Sequence, residues 1–221
     1  VTALGHLLHE QRLIKARKEQ VLMARAAQIS VAAQYAALAQ LRPDISEADL
    51  EAELLYSYRK QGARFEAYPS IVAAGDNAGV LHYSRNESPI AAGDLVLIDA
   101  GCEFAYYAAD VTRTYPASGR YNQAQRALYD LVLKANRGAI AACRPGTDFN
   151  QPHDVATQIL VDGLIALGLL RGAAPALIAS RAHERFCPHK TSHWLGLDVH
   201  DVGDYRLGEQ WRDLMPGMVL T

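Results

Sequence analysis

The 221-residue sequence predicts an α+β fold, a single domain over residues 1–221 with two related αβ halves around one sheet. Three observations predict it. Alanine-rich helical patterns at 16–41 and 122–142 each end at an Arg-Pro pair and are followed by a second helical pattern. Short β-branched runs lie between these helical regions. Finally, "LRPDISEADL" at 41 and "CRPGTDFNQPHDV" at 143 read as one helix–turn–helix joint repeated about 100 residues apart. The alternative is that Arg-Pro simply punctuates helix ends, which yields the joints without relating the halves.

In chain order, the first long helix runs from Ala16 to near Leu41, with Leu22, Ala26 and Ile29 at three- and four-residue steps. Arg42-Pro43-Asp44 ends it. Ser46 then caps a second helix with acidic residues in its first turn, which stops near Gly62. Short strands are expected at Pro69–Ala74 and Leu81–Tyr83. A hairpin follows: Leu95 to Ile98 form a buried strand, Gly101-Cys102-Glu103-Phe104 the turn, and Val111, Thr112 and Thr114 the return. Helices from about Asn122 to Ala142 and from about Asp154 to Leu167 flank Arg144-Pro145-Gly146.

The hairpin carries two carboxylates, Asp99 and Asp110, in an apolar and aromatic run. Residues facing each other in an antiparallel pair have numbers with a constant sum. Asp99 and Asp110 therefore face each other if the turn centres between Phe104 and Ala105, with Cβ atoms ~5 Å apart. Two like charges that close cannot both stay ionised in a dry site. Either they share a proton or a cation lies between them.

Composition narrows the chemistry. A net charge of −2 gives no electrostatic basis for binding nucleic acid or an anionic membrane. Arg12, Lys15, Arg17 and Lys18 are interleaved with a helical apolar pattern and read as a solvated face. Val1 to Glu10 is short and carries His6 and His9, so no signal peptide is expected there, and no apolar run approaches the ~18 residues of a membrane helix. Cys102, Cys143 and Cys187, an odd count at unrelated spacings, suggest free thiols and a cytoplasmic setting.

A second cluster, "CPHKTSHWLGLDVHD" at 187–201, holds His189, His193 and His200. A lone histidine is ordinarily structural or at the surface; three beside Trp194 point to ligation, since neutral imidazole suits borderline cations. As a zinc helix with His189 and His193 at i and i+4 the match is poor, because Lys190 stands where a general-base glutamate belongs. On one straight strand His193 and His200, seven apart, point to opposite faces. If both serve one site the chain must bend between them, and Gly196 is the place for it. Two hairpin aspartates and a distal histidine suit hard divalent ions, Mn²⁺ before a thiolate-loving ion. Paired ions ~3.5–4 Å apart, with Asp110 bridging, hold a hydroxide and polarise a carbonyl, which is the chemistry of metal-assisted hydrolysis.

"LHY" at 81, "GDLVLIDAGCEFAYYAADVTRTYPASGRY" and "SHWLGLDVHDVG" together resemble the catalytic domain of the Xaa-Pro aminopeptidases, of the pita-bread metallopeptidase family. The likeness runs over essentially the whole sequence. It implies the pita-bread fold, two pseudo-symmetric αβ halves around a curved, mostly antiparallel sheet. It implies two divalent metal ions, usually Mn²⁺, on two aspartates, a histidine and two glutamates, with Asp99, Asp110 and His193 as the first three ligands. His82, His189 and His200 match histidines that bind substrate or steady the tetrahedral intermediate. The implied substrate is a peptide with proline at the second position, cleaved before that proline.

The sequence also departs from the family's pattern. The family's fourth ligand lies in a Thr-x-Glu-Pro-Gly motif, whereas this sequence ends at "PGMVLT"; a later glutamate ligand and the usual N-terminal domain, which shapes homo-oligomers, also lie outside it. The resemblance therefore implies a C-terminally truncated catalytic domain that by itself holds metal weakly and does not cleave. Lys190 replaces a glycine of the family pattern, which narrows backbone approach by substrate. Two other functions fit the motifs. One is a prolidase acting on Xaa-Pro dipeptides. The other is a non-catalytic pita-bread peptide-binding module, although such modules usually lose the ligands that are retained here.

Overall fold

The computed structural model of the chain describes residues 4–221. It divides into two compact units: Val1–Tyr121 with Trp194–Val202 and Val219–Thr221, and Asn122–His193 with Gly203–Met218.

The first unit begins with α1 (Leu4–Leu13), α2 (Arg17–Gln40) and α3 (Glu47–Lys60). Its strands are β1 (Phe65–Glu66), β2 (Ile71–Ala74), β3 (Leu95–Asp99), β4 (Cys102–Phe104), β5 (Tyr107–Ala108) and β6 (Thr112–Pro116). All pairings are antiparallel, and the strands divide between sheets ordered β2-β3-β6 and β1-β4-β5. The predicted spacing on α2 becomes a buried face of Ala26, Ile29, Ala33 and Ala37. The alanines let the helix approach closely, and the face packs with Leu50, Leu54 and Tyr58 of α3 and with Val72, Val96 and Ile98 of the sheet. Ser46 caps α3 reciprocally: the Asp49 amide donates to Ser46 Oγ at 3.2 Å and the Ser46 amide to Asp49 Oδ2 at 2.8 Å.

Three sequence expectations are corrected in this unit. The hairpin turns at Ala105-Tyr106, both left-handed with φ of 50° and 73°, as a type I′ turn requires. Residues 102–104, expected in the turn, form β4 instead, because Cys102 is fully buried and its amide donates to Ser30 Oγ on α2 at 3.0 Å. The shifted centre sets the register: Asp99 pairs with Thr112, not with Asp110. The shift is two residues, so the two aspartates keep a common face.

Leu81–Tyr83 is not a strand but a tight turn after a 3₁₀ helix, Gly75–Gly79, with His82 at φ 55° and the Tyr83 amide donating to Val80 O at 3.3 Å. The pull comes from Glu47. This fully buried carboxylate accepts from Asn77 Nδ2, Tyr83 OH and the Ser88 amide, winding the segment around itself.

The basic stretch is not wholly solvated either. Arg17 and Lys18 are exposed, but Lys15 is buried, its Nζ 3.0 Å from Asp201 Oδ2, and Arg12 bridges Asp198 and Asp201. Charge pattern alone could not reveal a carboxylate about 190 residues further along the chain.

The second unit holds α4 (Gln123–Ala142), α5 (Gln151–Ala166), α6 (Ala174–Ala179) and a small hairpin of β7 (Arg206–Leu207) and β8 (Gln210–Trp211). Ala135, Ala139 and Ala156 pack with Ile159 and Leu160 between α4 and α5. α5 starts before the predicted Asp154, since Asp148 Oδ1 accepts from the Asn150 and Gln151 amides and begins the helix there. Among the described residues no helix is long and apolar enough to cross a membrane.

Candidate metal centre

The aspartates sit where the long hairpin is interrupted. β3 ends at Asp99 and β6 begins at Thr112; beyond the gap β4 and β5 resume the same register, with Glu103 opposite Ala108. Across the gap the Ala100 amide donates to Val111 O at 3.2 Å and the Ala109 amide to Cys102 O at 2.9 Å. That count sets Asp110 opposite Gly101. A Cβ on Gly101 would lie 1.8 Å from Ala109 O, so glycine is what lets the strands close at this point.

Tyr68, just before β2, brings the two carboxylates together. Its hydroxyl is 2.6 Å from Asp99 Oδ1 and 3.0 Å from Asp110 Oδ1. Burial, then the negative charges of Asp99 and Asp110, push the Tyr68 phenol far above the usual tyrosine range, so it remains a neutral donor. One phenolic proton cannot offset two adjacent carboxylate charges. The expectation that the aspartates share a site is met through this bridge rather than by direct pairing. The donor set is two hard oxygen ligands, Asp99 at the end of β3 and Asp110 in the gap between β5 and β6, which fits Mg²⁺ or Mn²⁺ chemistry better than a soft ion.

The remaining predicted residues fall as follows. His82 is exposed at its left-handed turn, and His200 is exposed at the end of a bend spanning residues 196–200 in the first unit. The bend falls where Gly196 predicts it. A Cβ there would lie 2.0 Å from Asp201 Oδ2, and the Asp201 amide closes the loop on Trp194 O at 3.0 Å.

His189 and His193 belong to the second unit, in a stretch that is neither helix nor strand, so the zinc-helix geometry does not form. His189 Nδ1 donates to Lys190 O at 2.9 Å, and Lys190 is not among the left-handed residues, so its backbone does not demand the family's glycine. Among the described residues no group of three or more His, Cys, Asp or Glu side chains is arranged to hold a metal ion; the aspartate pair is what the structure itself assembles. Thr221 lies beside it, its hydroxyl 3.4 Å from Asp110 O. Sequence reasoning missed Tyr68, since nothing in "EAYPS" distinguishes a bridging phenol from a core tyrosine.

This α+β scaffold, with aspartates delivered from antiparallel strands, is that of a metallopeptidase: the chain belongs to metallopeptidase family M24, whose model matches residues 21–221. It is 47% identical over 215 residues to the Xaa-Pro aminopeptidase of Haemophilus influenzae, covering 97% of this chain and 50% of that one. It is 45% identical over 215 residues to the Escherichia coli Xaa-Pro aminopeptidase, covering 97% and 48%. Among solved structures it matches Pseudomonas aeruginosa aminopeptidase PepP at TM-score 0.97 and 49% identity, over 99% of this chain and 50% of that one. It matches an E. coli aminopeptidase P in complex with substrate at 0.93 and 44%, over 98% and 49%. The fold is therefore the pita-bread fold of the aminopeptidases P. The chain spans about half the length of the curated relatives it matches. Family membership implies divalent metal ions; one E. coli aminopeptidase P structure is Zn-substituted, so the family name does not fix which metal.

Proposed function

We propose that this chain forms part of a metal-dependent aminopeptidase that hydrolyses the bond between an N-terminal residue and a following proline. The observation that carries this reading is the convergence of Asp99 and Asp110 on the Tyr68 hydroxyl within an M24 chain. Relatives named Xaa-Pro aminopeptidase supply the substrate class. Asp99, Asp110 and His193 are assigned as ligands of two divalent ions, Mn²⁺ by preference. Such ions polarise a scissile carbonyl and lower the pKa of a water molecule.

The chain's own groups do the rest. Asp99 and Asp110 supply fixed negative charge, and Tyr68 keeps its proton and steadies both carboxylates. His189 commits Nδ1 to a backbone carbonyl, which fixes the orientation of its ring. His82, His189 and His200 are assigned to holding the substrate and the tetrahedral oxygen. In the proposal the protein is cytoplasmic, in keeping with its free thiols, and the intact protein self-associates.

The test is an assay of the intact protein on Xaa-Pro-Yaa tripeptides and Xaa-Pro dipeptides, with Mn²⁺ or a chelator, alongside Asp99→Asn. Mn²⁺-dependent tripeptide cleavage that Asp99→Asn abolishes supports the reading. Cleavage of dipeptides alone would replace it with a prolidase, and undiminished activity in Asp99→Asn would remove the metal assignment.

A further inference from the structure

The buried face of α2 is apolar, Met23, Ala26, Ile29, Ala33 and Ala37, except at two polar positions one turn apart, Ser30 and Gln34, which are 0% and 3% exposed. A polar side chain on such a face costs free energy unless it is fully hydrogen-bonded. Both are spent on the gap in the aspartate hairpin. Gln34 Nε2 donates to Val111 O at 3.0 Å and to Ile98 O at 3.3 Å, and Gln34 Oε1 accepts from Tyr115 OH at 3.3 Å. Ser30 Oγ accepts from the Cys102 amide at 3.0 Å. The amide orientation is settled by chemistry, since carbonyls only accept.

Ile98 immediately precedes Asp99 and Val111 immediately follows Asp110, so one amide group of Gln34 ties together the backbone next to both aspartates. It does so where the ladder is interrupted, between the Asp99–Thr112 and Glu103–Ala108 pairs. Two backbone hydrogen bonds cross the gap, from the Ala100 amide to Val111 O and from the Ala109 amide to Cys102 O, and Gln34 adds a tie from α2 to the carbonyls of both strands.

We propose that Gln34, supported by Ser30, is a positioning residue that sets the spacing of the Asp99 and Asp110 carboxylates and thereby tunes affinity for divalent metal. Neither side chain touches substrate or metal; each acts through the backbone that carries the ligands. This rests on the metal-centre reading above. Partners of ligands beyond those that touch the metal typically change metal affinity about 10- to 100-fold, and a backbone tie belongs at the lower end of that range.

The experiment measures Mn²⁺ binding to the intact protein by calorimetry, with the electron paramagnetic resonance spectrum of bound Mn²⁺ as a second readout. The variants are Gln34→Met, which keeps length and removes the hydrogen bonds, Ser30→Ala, Asp99→Asn and the core control Leu54→Ala. Gln34→Met is expected to weaken binding about 10-fold and alter the spectrum, with Ser30→Ala shifted the same way but less. Leu54→Ala, destabilised without touching the hairpin carbonyls, should bind as the parent does. Wild-type affinity and spectrum in Gln34→Met, where Asp99→Asn has lost binding, would overturn the positioning role while leaving the metal centre intact. Unchanged binding in Asp99→Asn would instead remove the metal-centre reading. If Gln34→Met does not fold, Ser30→Ala decides: an unaltered affinity and spectrum there overturns the proposal. Equal weakening in Leu54→Ala would also overturn it, reducing Gln34 to a stability effect.

Discussion

Glu47 offers the sharpest stability test, because a carboxylate with 0% exposure is held by hydrogen bonds alone. Oε1 accepts from the Ala74 amide at 2.7 Å and Asn77 Nδ2 at 2.9 Å; Oε2 accepts from Tyr83 OH at 2.8 Å and the Ser88 amide at 3.0 Å. In Glu47→Ala, Asn77 keeps Tyr83 and Ser88 Oγ as partners and the Tyr83 hydroxyl can turn to Ser88 Oγ, 3.5 Å away, but the Ala74 and Ser88 amides lose their carboxylate. Each buried donor left unmet costs about 1–3 kcal/mol, which gives a loss of about 2–6 kcal/mol before any cavity cost. Glu47→Gln retains one acceptor oxygen and turns an NH₂ toward the other donors. Tyr83 can rotate its hydroxyl to accept, whereas the Ser88 amide cannot, so about 2 kcal/mol is expected.

The pH dependence has a definite sign. Burial acts to raise the Glu47 pKa, but the hydrogen bonds from Asn77, Ala74, Ser88 and Tyr83 outweigh it and hold the group below its ordinary value. The unfolded chain, with a value of about 4.3, therefore binds the proton more readily than the native state. This contribution is complete above that value and is lost as pH falls through the lower native one. Urea unfolding at pH 7 and pH 3 measures both effects, and amide exchange at Ala74 and Ser88 localises them. A Glu47→Gln variant within about 0.5 kcal/mol of wild type at pH 7, with no faster exchange at Ser88, would refute this account.

Further outcomes follow from other close contacts. Gly101→Ala should cost more than about 3 kcal/mol or prevent folding, since its Cβ meets Ala109 O; a thermal melt close to wild type would contradict the strand closure described. Asp201→Ala leaves Lys15 Nζ buried without its carboxylate. A loss of about 3–5 kcal/mol is expected by denaturant unfolding, larger than for the double change Lys15→Met with Asp201→Leu. In the intact protein, His193→Ala should lower metal occupancy, while His82→Ala and His200→Ala should mainly reduce turnover with metal still bound. Metal analysis of the purified variants decides this, and metal loss in all three would enlarge the ligand set.

The sequence by itself determined the helices α2 to α4, the hairpin that carries Asp99 and Asp110, and the family. Apolar spacing, Ser46 as a cap, and Arg-Pro stops are local signals, and they placed α2, α3 and α4 within a residue or two. It also paired Asp99 with Asp110 on one face, because strand parity survives a register error of two. What it could not supply depended on contacts distant along the chain. An Ala-Tyr turn carries no turn signature, and it formed because Cys102 and Phe104 had more to gain as a strand under α2. The turn at His82 follows from Glu47, over 30 residues earlier, and the burial of Lys15 from Asp201. Tyr68 and Gln34 look like ordinary core and helix residues until the fold brings one hydroxyl and one amide against the aspartate hairpin. Local propensity and periodicity are properties of neighbouring residues. Register, burial of charge and convergence of side chains are settled only when segments far apart in the chain compete for the same hydrogen bonds.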